Sequence, residues 1–228
     1  RSTPIKSSAA SDVYKRQVLE YPNNKYSEDA MLMGVEMAYT AKDYEKALHI
    51  YKQLKDKAAS MERRQLAKTG MLRSAHMLGN EEEIIFTATD LLADTKLAPE
   101  LSNEAHYYRA KAYLDAGKTD GAMEDLKILA KDTRNVYGAE AKYKVAQIYF
   151  DGGQTDKAEQ EVLNYIEVST PHTYWLARSF VLLADVYMKL GRNLDAKQYL
   201  LSLKQNYQAD DDIAGMIESR LEKLKTEN

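Results

Sequence analysis

Four tracts of this chain carry a glycine at the same place in a recurring frame: Gly79, Gly117, Gly153 and Gly191, separated by 38, 36 and 38 residues. Five residues after each glycine stands Ile84, Ala122, Ala158 or Ala196. Four residues before it stands Ala75, Tyr113, Tyr149 or Tyr187, and three earlier still Leu72, Ala110, Ala146 or Ala184. An upstream tract keeps the frame with Lys42 in the glycine slot, Ala47 after it, and Ala38 and Val35 before it. A fixed period of this length belongs to arrays of stacked units, each too small to bury its own apolar face.

The frame has a direct physical reading. The segment before each glycine is a helix whose small residues admit a close neighbour. The glycine ends that helix, because glycine takes the left-handed cap conformation without strain. The Asp, Asn or Thr that follows starts a second helix by accepting from its free N–H groups. The pattern predicts helix pairs over 27–41 and 43–56, 61–78 and 80–94, 100–116 and 119–131, 136–151 and 154–168, and 172–190 and 193–206. A last helix is predicted over 211–225, where Ile213, Met216, Ile217, Leu221 and Leu224 recur at helical spacing. Its other face is charged, as suits a terminal cap.

Val35-x-x-Ala38, Tyr44-x-x-Ala47-x-x-x-Tyr51 and Ala184-x-x-Tyr187-x-x-x-Gly191 followed by Ala196 resemble the tetratricopeptide repeat. The resemblance runs from Ser27 to about Asn206, with a longer period than the usual repeat and a weak second unit that has Ile84 in the small-residue slot. It implies an all-α fold, an α-solenoid of stacked antiparallel helix pairs wound as a right-handed superhelix. Five repeats are expected at about 27–58, 61–96, 99–132, 136–169 and 172–207, with a capping helix and tail over 209–228. Long-period arrays with a Tyr-Pro junction, as at Tyr21-Pro22, resemble bacterial envelope assembly lipoproteins and periplasmic scaffolds. That resemblance favours a bacterial periplasm or envelope location.

Residues 7–17 (SSAASDVYKRQ) resemble the translated end of a transposase sequencing adapter, and residues 1–6 fit its upstream part. Such segments are set aside in fold reasoning. The native sequence is then expected to start near Val18, with 18–26 the remnant of a truncated upstream repeat. Setting 1–17 aside removes four cations against one Asp, which takes the net charge from −3 to −6. An acidic chain is poorly suited to binding nucleic acid through bulk charge. The sequence has no apolar run long enough for a membrane span, and no cysteine for disulfides, thiolate metal sites or thiol nucleophiles.

Motifs that could carry chemistry are weak. Ala116-Gly117-Lys118-Thr119 matches the end of a phosphate loop, but Ala112 replaces the first glycine and a helix replaces the preceding strand. His49, His76, His106 and His172 form no metal-ligand spacing. Asp210-Asp211-Asp212 lacks the alternation of a calcium loop and precedes a helix, where carboxylates complement the dipole. No enzyme activity, cofactor or metal is expected.

In the family, the first helices line a concave peptide groove. By the repeat register this face carries Tyr39, Arg73, His76, Tyr107, Lys111, Tyr143, Gln147, Phe150 and Asp185, with Leu114 and Met188 beside them. Aromatics interleaved with Arg and Lys suit a binding surface, whereas Tyr113, Tyr149 and Tyr187 fall in packing slots. The clamp that chaperone-tail receptors of the family use for a terminal carboxylate is not matched, because its slots hold Tyr107, Lys111, Tyr143 and Gln147. The expected function is a non-enzymatic scaffold that holds a peptide or helix of a protein partner. The alternative is an assembly component of a bacterial envelope complex that uses its convex face or ends.

Overall fold

The computed structural model describes residues 27–168 and 170–226. The adapter-like segment and the expected repeat remnant at 18–26 lie outside the described residues. Eleven helices occur among the described residues, with no strand. They are α1 (Ser27–Thr40), α2 (Tyr44–Lys57), α3 (Met61–Leu78), α4 (Glu81–Leu92), α5 (Pro99–Asp115), α6 (Thr119–Leu129), α7 (Val136–Asp151), α8 (Thr155–Ile166), α9 (Thr173–Lys189), α10 (Asn193–Asn206) and α11 (Ile213–Thr226).

One local device ends the first helix of each pair. Asp43 N–H donates to the Ala38 carbonyl (2.8 Å), and Lys42 N–H donates to the Tyr39 carbonyl (3.0 Å). The same two bonds recur at Asn80 to Ala75, Lys118 to Tyr113, Gln154 to Tyr149 and Arg192 to Tyr187, each with its companion from the slot residue. This is the Schellman closure, and it requires a left-handed residue in the slot. Gly79, Gly117, Gly153 and Gly191 take φ of 64 to 73°, and Lys42 takes φ of 56° in the same place. The Ala116–Thr119 tract is therefore one more helix-ending turn.

The second helices start on the expected caps at Asp43 and Asn80, whose side chains accept from Lys46 N–H and Glu83 N–H. Several second helices end earlier than the sequence pattern predicts, α4 at Leu92, α6 at Leu129 and α8 at Ile166. At α4 the cause is visible. The Lys68 ammonium of α3 donates to the Asp90 carbonyl (2.9 Å) and pairs with Asp94 (2.8 Å), which ties down the last turn. Burial works against its charge, but the Asp94 and Asp90 hydrogen bonds outweigh this and hold its pKa above the usual lysine range. At the far end α11 begins at Ile213, two residues late, because Asp211 accepts from Ile213 N–H (3.0 Å) and caps the helix from outside.

The chain divides into two compact units, Arg1–Lys118 and Thr119–Asn228. In the first, short turns fold each helix of α1–α5 back on its neighbour. One cluster joins Met31, Val35, Ile50, Leu54 and Ala67, and a second joins Leu72, Ala75, Ile84, Ala88, Leu91, Ala105 and Ala112. Ile84, the departure from the small-residue slot, is buried there with alanines on its partner helices. In the second unit one cluster runs from Tyr143 through Val181, Leu183 and Leu200 to Ile213, Ile217, Leu221 and Leu224. The apolar stripe of α11 covers the end of this cluster, and its Lys and Glu residues stay exposed.

Candidate protein-binding face

In the first unit, the face expected to bind is built by α1, α3 and α5. Tyr39 of α1 meets Tyr44 and Tyr51 edge-on, with ring centroids 5.4 and 6.4 Å apart. Its hydroxyl shares a 2.9 Å hydrogen bond with Ser74 of α3. The Tyr51 ring lies against Gly70, where a methyl group would collide with it. The two tyrosines, with Leu32, Val35, Glu36, Leu66 and Arg73, line a cleft of about 330 Å³. Burial and the neighbouring Tyr39 push the Tyr51 phenol above its ordinary pKa, against the opposing pull of Arg73.

Arg73 reaches α5. Its Nε donates to Glu104 Oε1 (2.7 Å) and its Nη2 to Oε2 (2.8 Å). The fork geometry makes this a directional pair. One helical turn further along α3, His76 stacks on Tyr108 with centroids 4.2 Å apart. His76, Tyr108, Lys111, Glu81 and Asp115 are the polar and aromatic lining of a second cleft of about 220 Å³. Burial, and then the Lys111 ammonium, hold the imidazole below its usual pKa, so it is neutral at pH 7. Tyr107 is half-buried, with its ring 5.8 Å from that of Tyr108, and Lys111 is exposed.

The second unit corrects one expectation. Tyr143 is 4% exposed, so it is a core residue and not an open groove side chain. The Arg178 guanidinium lies 5.2 Å from its ring centre and donates to its hydroxyl (3.3 Å), and Trp175 packs at 5.6 Å. The same guanidinium donates to Tyr174 (2.9 Å) and Asp212 (3.1 Å). Burial opposes the Arg178 charge, and the Tyr143 and Tyr174 hydroxyls more than offset it, so its pKa is raised. Gln147 is half-buried and accepts from Lys144 (3.4 Å), while Lys189 stands 4.9 Å above the Phe150 ring. Asp185 is bound by Arg220 of α11 through two bonds of 2.8 and 2.7 Å. Of the packing-slot tyrosines, Tyr187 is buried, whereas Tyr113 and Tyr149 are half-buried.

The structure thus brings Tyr39 and Arg73 together at one cleft and His76 and Lys111 at the next. It commits Arg73 and Asp185 to neighbouring helices. The sequence reading missed Glu104, Tyr108, Arg178 and Arg220. A signal for two of them exists: Glu104 follows Arg73 by 31 residues and Arg220 follows Asp185 by 35, close to one repeat, with opposite sign.

No described helix is long and apolar enough to cross a membrane. No curated protein matches this sequence. The Tetratricopeptide repeat family matches residues 104–132 and again residues 177–205. Among solved structures, the MamA protein is similar at 16% identity, with a TM-score of 0.61 over 80% of this chain and 92% of that one. BtubC (BKLC) from P. vanneervenii is similar at 13% identity and TM-score 0.56 over 90% of this chain and 92% of that one. The nearly identical TPR-like repeats of a putative kinesin light chain from Podosopora anserina are similar at 18% identity and TM-score 0.52, covering 90% and 96%. At these identities the likeness is one of fold, and it agrees with the repeated helix pairs and their common closing turn. Residues 104–132 and 177–205 are thus tetratricopeptide repeats, set in an all-α fold of repeated helix pairs.

Proposed function

We propose that the chain is a non-enzymatic scaffold that binds a peptide or helix of a partner protein on the face formed by the first helices of its pairs. Tetratricopeptide repeats support protein–protein interaction in general terms. The finer assignment, to this face, rests on one observation: two clefts succeed each other along α3, lined by Tyr39, Tyr51 and Arg73 and then by His76, Tyr108 and Lys111. Aromatic and cationic side chains held in place by their neighbours bind with little loss of rotamer freedom. The mechanism is preorganised display, with no bond chemistry. The same reading divides 27–207 into five repeats capped by α11.

A second reading, assembly through the outer face, is favoured by exposed apolar residues on second helices. Leu194 and Leu201 lie two turns apart on α10 and are 70% and 47% exposed. The two readings are separated by capture of partners on immobilised chain. The chain is compared with His76→Ala/Lys111→Ala and with Leu194→Ser/Leu201→Ser, all checked for helicity. A partner lost only by the first variant supports the inner face. A partner lost only by the second moves the interface outward.

A further inference from the structure

The chemistry of the partner follows from the charges that remain open on the first cleft. This inference rests on the inner-face reading above. The α1–α3 cleft has apolar walls, Leu32, Val35, Tyr39, Tyr51 and Leu66, and its volume of about 330 Å³ suits one large side chain. Leu66 is 43% exposed on that wall, an apolar side chain still in contact with water. Two charged residues line the cleft, and they differ in their commitments. The Nε and Nη2 donors of Arg73 are both taken by the Glu104 carboxylate, which offsets the positive charge at short range. Glu36 is exposed, and its carboxylate has no hydrogen bond or ion pair among the described residues. The next cleft along α3 carries Glu81 and Asp115 against Lys111. The open charge along this face is therefore negative, in a chain whose net charge is also negative.

We propose that the α1–α3 cleft receives an apolar side chain of a partner segment that carries a lysine or arginine within one helical turn of that anchor. The apolar group is buried against the tyrosine and leucine walls. The cation is set against the Glu36 carboxylate at the rim, which has no ion-pair partner among the described residues. A partner with a carboxylate at that place meets Glu36 directly, and the Arg73 charge that would have attracted it is already bound by Glu104. Discrimination against acidic partners is thus built from repulsion as well as attraction. Long-range attraction by the acidic chain adds to the association rate of basic partners and weakens with salt.

The test uses two fluorescein-labelled helical peptides about 14 residues long. Both have the same leucine stripe, with lysine on the polar face of one and glutamate on the other. Binding to the full chain is followed by fluorescence anisotropy at about 0.15 M ionic strength. The leucine–lysine peptide is expected to bind about tenfold more tightly than the leucine–glutamate peptide. Glu36→Lys is expected to abolish or reverse that preference, and Leu66→Asp, with helicity retained by circular dichroism, to weaken both peptides. If Leu66→Asp weakens both but Glu36→Lys leaves the ratio unchanged, the charge assignment is overturned and the inner-face reading stands. If Leu66→Asp changes neither peptide, the inner-face reading falls as well. Absence of binding by either peptide at millimolar concentration overturns the proposal. So does self-association of the chain that Leu66→Asp removes, which would assign the cleft to a second copy.

Discussion

Arg73 and Glu104 are joined by two parallel hydrogen bonds across α3 and α5, and Asp185 and Arg220 repeat the arrangement across α9 and α11 with the signs exchanged. Both leading residues stand six before a turn glycine, Gly79 and Gly191. The partners in the first pair are unequal, because the Arg73 side chain is 53% exposed and that of Glu104 only 11%. Removing Arg73 strands a nearly buried carboxylate, whereas removing the Glu104 charge leaves an arginine that water can solvate. Arg73→Met is therefore expected to cost about 2 kcal/mol and Glu104→Gln about 1 kcal/mol in urea unfolding. The reverse order would mean that the arginine, and not the carboxylate, is the group that depends on the pair.

Lys42 occupies the left-handed slot that four glycines occupy elsewhere, at φ of 56° and with the same pair of closing hydrogen bonds. A side chain in that region costs about 1 kcal/mol that glycine does not incur, part of which returns as entropy of the unfolded chain. Lys42→Gly is expected to stabilise the protein by roughly 0.5 kcal/mol, and Gly117→Ala to destabilise it by about 1 kcal/mol. Nothing lies within 4 Å of a methyl group placed on Gly117, so the second effect is purely one of backbone conformation. A loss of stability in Lys42→Gly would show that the lysine side chain supplies an interaction beyond its backbone role.

The same slot explains why the helix order could be read from the sequence. The closing turn is local, and its residue preference is strong enough that Gly79, Gly117, Gly153 and Gly191 mark the ends of α3, α5, α7 and α9. Even Lys42 was placed in register, because Ala38 and Ala47 keep their distances from it. The binding face was less legible, since exposure is decided by the next helix. Tyr143 has the register of a groove residue, but Arg178 and Trp175, more than thirty residues later, close over it. Arg73 and Asp185 keep the register of that face, but their charges are taken up by Glu104 and Arg220 on other helices, which the register does not name. Early ends of α4 and α6 escaped for a similar reason, since periodicity continues past the last hydrogen-bonded turn.

Alkaline pH should destabilise the fold in a way traceable to single side chains. Burial, then the nearby Tyr199 and Glu159, push the Tyr187 phenol from 10.0 up to about 12, against the opposing Arg192 guanidinium 4.0 Å from its ring. A raised folded-state value means that the folded chain holds its proton more tightly than the unfolded one. The associated stability is complete below pH 10 and is lost as pH rises from 10 to about 12. Lys68, also raised, acts in the same direction above 10.5. Tyr187→Phe is expected to alter stability at pH 7 by at most about 1 kcal/mol and to flatten the decline above pH 10. Urea titrations at neutral and alkaline pH give both quantities, and an unchanged slope would place the alkaline sensitivity elsewhere.

Protection from hydrogen exchange should follow how many helices enclose each element. Among the described residues, the α1 backbone packs closely on α2 alone, whereas α9 is enclosed by α7, α8, α10 and α11. Beyond the small apolar cluster of Met31 and Val35 with Ile50, Leu54 and Ala67, α1 is held by polar, partly exposed contacts: Arg63 with Asp29 at 2.8 Å, Glu28 accepting from Ala59 N–H, and the Tyr39–Ser74 bond. Solvated pairs of this kind contribute less than about 1 kcal/mol each, whereas α9 buries Val181, Leu183, Ala184 and Val186 completely. Opening of α1 is therefore expected to be local, with its amides exchanging at least about tenfold faster than those of α9. Equal protection from Ser27 through Asn206 would show that α1 opens only when the whole array unfolds.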